Sequence, residues 1–421
     1  MLAKQIFKGI IMGLKLRLVV MNFLQYAIWG AWLISLGAYL GGSLKFEGFQ
    51  IGSFFATMGI ASLFMPGIMG IIADRWIPAQ KLLGICHFLA AIFLVFAAPQ
   101  TDYSTLYSLI LCSVMFYMPT IALSNSVAYN ALTKGGFSTV KDFPPIRVWG
   151  TVGFIFSMII VDLLGYAQTS YQLYMSAGLG FVLSVYSFTL PNCDINVHVE
   201  KRSGVDYMGL QAFTLFKQKK MAIFFIFSMM LGMSLQITNA FANDYLTNFF
   251  GKNILYKGTF GVEHANILIS LSQASETLCI LLIPFFLRKF GIKKVMLISM
   301  IAWVLRFALL GTGNPGGGVW MLVLSMIVYG VAFDFFNISG SLFVENETDS
   351  SIRSSAQGVF MIMTNGFGAF IGSYVAGWVV DIAGWPKSWF IFAGYSLLVA
   401  IVFAIVFKYK HDPQQLEKVR S

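Results

Sequence analysis

The sequence predicts an all-α integral membrane protein with about twelve transmembrane helices in two six-helix bundles. Three observations carry that expectation. The chain is 57% hydrophobic and only 11% charged, against about 25% charged residues in a typical soluble domain. Its apolar residues fall into windows of about 20, the length that crosses a hydrocarbon core. Those windows come in two sets, separated by the longest polar stretch of the chain.

Taken in order, the first set lies near 17–40, 50–73, 82–98, 104–128, 146–166 and 171–191. The second lies near 221–246, 264–287, 295–312, 319–342, 355–380 and 388–407. The expected division is an N-terminal bundle at 1–191, a cytoplasmic loop at 192–220 and a C-terminal bundle with its tail at 221–421. The first apolar window is long and lacks a small-residue cleavage site, so it is expected to stay as a helix rather than leave as a signal peptide.

The net charge of +10 would suit nucleic acid, but its placement argues otherwise. With both termini in the cytoplasm, the outer loops hold only Lys45, Lys252, Lys257 and Lys387. Arg147 and Arg306 fall inside spans, and every other lysine and arginine lies in an inner loop or tail. That asymmetry is the positive-inside signature of a multi-pass protein in a bacterial cytoplasmic membrane. The excess charge is a topology signal, and the expected partner is the lipid bilayer, with no nucleic acid. The basic run Lys217 to Lys220 reads as an interface anchor.

Cys86, Cys112, Cys193 and Cys279 form no CxxC pair, and the four histidines show no ligand spacing. Neither a disulfide framework nor a metal site is expected. His87, alone in a span, reads as a packed residue. Nothing resembles a Ser–His–Asp arrangement, an HExxH helix or a Gly-lysine phosphate loop, so no catalytic residues and no enzyme activity are expected.

The stretch DFPPIRVWGTVGF, 142–154, carries the most specific local signal of the first half. Pro144 and Pro145 suit the first turn of a helix, and Phe143 before them is biased to extended backbone, so a helix start after Phe143 is expected. Arg147, Thr151 and Phe154 then fall at i, i+4 and i+7 on one face. Gly150 and Gly153 near that stripe would allow close helix approach. Arg147 could instead snorkel to lipid headgroups.

Ionisable and amide groups inside spans are expensive, which makes each a candidate. Gln236 and Asn239 share a face of the seventh window, and Gln273 and Glu276 share one of the eighth, at i, i+3 spacing. Helix–helix hydrogen bonding is the plain alternative for the amides. For Glu276 it is a pair with Arg306, or a protonated carboxyl between helices. The tenth window reads VYGVAFDFFNISGS, 328–341, with Tyr329 and Phe333 at i, i+4 and Asp334 beside them. Leaving Asp334 ionised there costs several kcal/mol unless it is paired, so it could exchange a proton as its surroundings change. A fixed pair with Arg147 or Arg306 is its alternative. Arg306 reads as structural, and Trp29 and Trp32 as packing.

This set suits a neutral polar ligand with a flat ring. Amides and a carboxylate suit vicinal hydroxyls, aromatics suit stacking, and Arg and Thr can meet ring carbonyls. One arginine is thin counter-charge for a phosphate ester.

The cytoplasmic loops GIIADRWIPAQK at 70–81 and LRKFGIKK at 287–294 sit at equivalent places in the two sets. With six helices on either side they look like the major facilitator superfamily, whose halves rock around a midplane site. The tracts DFPPIRVWGTVGF, AIFFIFSMMLGMSLQITN, SQASETL, AWVLRFAL, SMIVYGVAFDFFNISGS and AQGVFMIMTNGFG resemble the nucleoside:proton symporter family within it. The resemblance runs from the first helix to KYKH at 408–411 and is weakest at 248–262 and in the central loop. It implies proton-coupled uptake of purine and pyrimidine nucleosides by alternating access, without a cofactor. A monomer is the expected state. It implies a nucleoside site between the halves, lined by Arg147, Thr151, Phe154, Gln236, Asn239, Gln273, Glu276, Tyr329 and Phe333. Asp334 would be a coupling acid. Members can carry a further acid two residues before the glutamine of the seventh helix. Here that residue is Ser234, which puts coupling on Asp334 and Glu276. Uptake of another neutral solute such as an oligosaccharide is the alternative within transporters, and a non-transporting receptor or membrane enzyme the alternative outside them.

The charge distribution gives a direct expectation. A reporter fused after Lys408 reads cytoplasmic, and a periplasmic signal there overturns the orientation.

Overall fold

The computed structural model describes residues 2–195, 210–349 and 352–409. The part of the central loop at 196–209, with Lys201 and Arg202, and the tail from 410 onward lie outside the described residues. Every regular element among the described residues is helical. In chain order these are α1 (Leu2–Gly30), α2 (Leu36–Gly42), α3 (Gly48–Arg75), α4 (Ala79–Ala97), α5 (Tyr103–Lys134), α6 (Thr139–Leu163) and α7 (Tyr171–Ser187). After a 3-10 turn at Leu210–Lys217 come α8 (Lys219–Asp244), a π-helical segment Tyr245–Phe249, α9 (Phe260–Glu263), α10 (Ala265–Thr312), α11 (Val319–Glu347) and α12 (Arg353–Met361). A π-helical segment, Ile362–Gly368, joins α12 to α13 (Ala369–Ala383), and α14 (Lys387–Val406) closes the order. Among the described residues, 9 stretches are long and apolar enough to cross a membrane.

Several boundaries differ from expectation for local reasons. α6 starts at Thr139, a full turn before the prolines. Ser138 caps it by accepting from the Lys141 N–H at 3.4 Å, and the Asp142 carboxylate accepts from the Ser138 N–H at 3.0 Å. These reciprocal bonds satisfy first-turn donors and outweigh the bias against helix before proline. The windows near 264–287 and 295–312 are joined as α10, bent at Gly291, whose φ of 76° is the left-handed backbone that glycine tolerates best. α5 is capped by Asp102, whose carboxylate accepts from the Thr105 N–H and hydroxyl, both at 2.9 Å. The Thr105 N–H leads in holding that carboxyl below the usual carboxylate range.

The chain forms two compact units. The first comprises residues 1–39 and 61–202. Its α1 and α6 meet backbone to backbone. A Cβ on Gly153 would collide with the Phe23 carbonyl oxygen, and one on Gly30 with that of Phe154. In lipid, where burial against a neighbour gains little over burial in acyl chains, such small-residue crossings are what bring helices together. Lys15 pairs with Asp142 at 2.7 Å at one end of the crossing. Serines stitch other pairs: Ser184 Oγ donates to the Gly84 carbonyl at 2.8 Å, and Ser176 Oγ to that of Ile28 at 2.9 Å.

The second unit comprises residues 40–60 and 203–421. Its portion of α3 packs on α13, with Gly52 against the Ser373 carbonyl and Gly377 against that of Gly48. Asp381 caps α3, accepting from the Gly48 N–H at 2.6 Å and the Phe49 N–H at 2.7 Å. α8 meets the π segment where Gly232 faces the Thr364 carbonyl, and α11 meets α10 where Gly330 faces Ser275. Lys220, expected as part of an interface anchor, pairs with Glu347 at 2.6 Å, joining the start of α8 to the end of α11.

Gly153→Ala tests the α1–α6 crossing. Overpacking of this kind costs about 1–3 kcal/mol, so the thermal midpoint of purified protein in detergent falls. Gly178→Ala, on α7 where a Cβ meets nothing within 4 Å, leaves it unchanged.

Candidate functional site

In the first unit the glycine crossing fixes the predicted residues of α6. With α1 so close, the Arg147 guanidinium lies 3.9 Å from the centroid of the buried Tyr26 ring. A cation over a ring face is attracted by the ring quadrupole, so the half-buried Arg147 has a partner on α1. Phe154 is buried, edge-on to Trp29 with centroids 6.5 Å apart. The half-buried Thr151 makes no side-chain hydrogen bond among the described residues, although a helical threonine normally has a carbonyl within reach.

Behind this face is a polar core that the sequence reading did not single out. Gln25 Nε2 donates to Thr120 Oγ1 at 2.7 Å, Gln25 Oε1 is 2.8 Å from His87 Nε2, and the Tyr117 hydroxyl donates to the Gln25 carbonyl at 2.7 Å. Trp29 packs on Tyr117 at 5.7 Å, so the core backs the ring that meets Phe154. Asn22, Gln25 and Tyr26 fall at i, i+3 and i+4, a polar stripe on an apolar span that could have revealed it. His87 is packed, as expected, but as a member of this core.

In the second unit the structure gathers five predicted residues from α10 and α11. Gln273 and Glu276 on α10 lie near Tyr329 on α11, and Glu276 also lies near Asp334. The Tyr329 and Phe333 rings are stacked, with centroids 5.9 Å apart and planes 9° from parallel. Asp334 is buried, and its Oδ2 has no hydrogen-bond partner. On α8, Gln236 is only 7% exposed, and neither it nor Asn239 makes a side-chain hydrogen bond among the described residues. Buried polar atoms are nearly always satisfied. An unused buried amide such as Gln236 is therefore what a site for a polar ligand leaves open.

Arg306 takes neither of the acid partners that spacing allowed. It is 1% exposed, donates through Nη1 to the Ser325 carbonyl at 2.6 Å, and lies 4.7 Å from the Tyr329 ring centroid. Ser325 returns a bond to the Arg306 carbonyl at 3.0 Å. The structural role expected for Arg306 is thus specific: it holds one face of Tyr329 while Trp303 meets the same ring edge-on at 6.1 Å.

Residues 12–412 match the model of a family described as nucleoside H+ symporters. The chain belongs to the nucleoside H+ symporter family. It is 50% identical over 407 residues to the nucleoside permease NupG of Escherichia coli (strain K12), covering 95% of this chain and 97% of that protein. It is 50% identical over 413 residues to the xanthosine permease of the same organism, covering 96% and 99%. The crystal structure of the nucleoside transporter NupG superposes with a TM-score of 0.88 at 49% identity, over 94% of this chain and 100% of that one. The fold of this symporter family member is therefore that of major facilitator transporters, and the protein is a multi-pass membrane transporter, not an enzyme.

Tyr329→Phe keeps the ring between Arg306 and Phe333 and removes only the hydroxyl. Loss of one hydrogen bond of about 1 kcal/mol from that hydroxyl to the ligand lowers nucleoside affinity roughly fivefold by calorimetry. Unchanged affinity shows that the hydroxyl does not serve the ligand.

Proposed function

We propose that the protein carries purine and pyrimidine nucleosides into the cell together with protons, as a monomer with both termini cytoplasmic. The division into bundles at 1–191 and 221–421 belongs to this reading. So does a count of twelve spans, in which the two arms of α10, the α1–α2 pair and α7 join the other apolar helices.

The observation that carries the substrate assignment is the set of polar side chains without hydrogen bonds on otherwise apolar helices: Thr151, Gln236 and Asn239. These groups are neutral, as a nucleoside is. In this reading Arg147 and Thr151 meet carbonyls of the base and Phe154 stacks on it. Gln273 and Glu276 hold the ribose hydroxyls, since a carboxylate accepts from both members of a vicinal pair and an amide can donate as well as accept. Gln236, Asn239, Tyr329 and Phe333 complete the set. The names of the 50% identical relatives, a nucleoside permease and a xanthosine permease, support the same substrate class.

Asp334 is the proposed proton carrier, with Glu276 as the second acid. An ionised carboxylate that is buried without an ion pair is costly, and protonation removes that cost. Glu276 nearby adds like-charge repulsion, so the two acids are not both ionised cheaply. Binding of a nucleoside to Glu276 changes that balance at Asp334, which links proton and substrate occupancy through one equilibrium.

Uptake of radiolabelled uridine and adenosine into proteoliposomes, with and without a protonophore, tests the function. Native protein accumulates both uphill, and the protonophore abolishes accumulation. Asp334→Asn keeps the shape and removes the titration. It loses pH-driven accumulation yet still exchanges labelled for unlabelled nucleoside. Full proton-driven accumulation by Asp334→Asn moves the proton to Glu276.

A further inference from the structure

The second unit contains a cleft of about 90 Å³ that the residues assigned so far touch only through Phe333. One water needs roughly 10–15 Å³ on the same scale, so the cleft has room on the order of a flat heterocycle. Its apolar walls are Trp303, Phe333 and Phe336, and its polar groups are Asn337, Thr364 and Asn365.

The state of those polar groups is informative. Thr364 Oγ1 donates to the Phe360 carbonyl at 3.0 Å and is occupied. Asn365 Nδ2 reaches only the weakly accepting Met361 sulfur, at 4.0 Å. Asn337, half-buried, makes no side-chain hydrogen bond among the described residues. Two carboxamides with free donors and acceptors thus line one cleft with three aromatic rings. A carboxamide presents a donor and an acceptor side by side, which matches the paired edge of a nucleobase. The rings supply sequence-tolerant stacking. Thr364 and Asn365 sit in the π-helical segment Ile362–Gly368, a rare arrangement that recurs at functional sites.

The position of the cleft is as specific as its chemistry. Asn337 follows Phe333 by one turn of α11, toward Glu347. Gly232 and Leu235, which also line the cleft, precede Gln236 and Asn239 by one turn of α8, toward Lys220. Lys220 and Glu347 are paired, so both shifts run in the same direction. Relative to Phe333, Gln236 and Asn239, the cleft thus reaches about one helical turn, some 5.4 Å, further toward the Lys220–Glu347 end.

We propose that this cleft is a second station for the nucleobase, at which Asn337 and Asn365 read the base edge while the base stacks on Phe333. The inference rests on the nucleoside reading above and adds a place where bases are told apart separately from the ribose. A site built to hydrogen-bond a polar edge discriminates strongly against a ligand lacking it, because its own groups are then left unpaired.

The test uses full-length protein in proteoliposomes with Asn337→Ala, Asn365→Ala and the double variant. The ratio of uridine to adenosine uptake efficiency shifts by about fivefold or more in the double variant, the loss expected from one or more hydrogen bonds. Discrimination between uridine and 2′,3′-dideoxyuridine, assigned to Gln273 and Glu276, stays at the native value. A purely structural role would slow all substrates together and leave the base ratio alone. Asn337→Ser and Asn365→Ser, which stay polar but lose the paired donor and acceptor, give the same readout if an alanine variant does not fold. An unchanged base ratio in variants that still transport overturns this inference and leaves the nucleoside reading standing. Failure of native protein to take up either nucleoside overturns both.

Discussion

Inside a bilayer a polar side chain has no water to fall back on, and the arrangement of this protein follows from that constraint. Several groups that serve the architecture find partners within it. Ser176 and Ser184 bond to carbonyls of neighbouring helices, Gln25 bonds to His87 and Thr120, and Arg306 bonds to Ser325 and a ring face. Groups proposed to serve the ligand are left open, as at Gln236, Asn239 and Thr151.

The glycines make this arrangement possible. Helices that touch backbone to backbone hold neighbouring side chains in fixed relation. Arg147 lies over Tyr26 because α1 and α6 cross closely near Gly150 and Gly153. Asp334 and Glu276 come within electrostatic reach because Gly330 lets α11 close on α10. Preorganisation of the polar set thus originates in residues with no side chain at all.

Much of this was legible in the sequence. Helical periodicity placed Arg147, Thr151 and Phe154 on one face and paired Gln273 with Glu276, because spacing along one helix is geometry that the chain itself fixes. The apolar windows located the spans for the same reason. Spacing says nothing about which other helix lies opposite, so the Tyr26 ring under Arg147 and the Gln25–His87 core were not anticipated. Arg306 illustrates the same limit: charge suggested an acid partner, and packing supplied a carbonyl and an aromatic face. The start of α6 was misplaced because Pro144 and Pro145 are louder in sequence than Ser138, whose cap depends on its reciprocal bond with Asp142. The π segment at Ile362–Gly368 has no periodic signature and emerged only from the backbone.

Arg306 also bears on the energetics of the cycle. Its charge is balanced by a carbonyl dipole and a ring quadrupole, neither of which can take up or release a proton. It is therefore a constant background, whereas a proton on Asp334 is a variable one. A neutral nucleoside brings no charge to cancel that proton, so under the proposed coupling each turnover is electrogenic. The membrane potential then drives uptake directly, at about 2.3 kcal/mol per charge for every 100 mV. Concentrative uptake in this design can persist when the two sides of the membrane have the same pH.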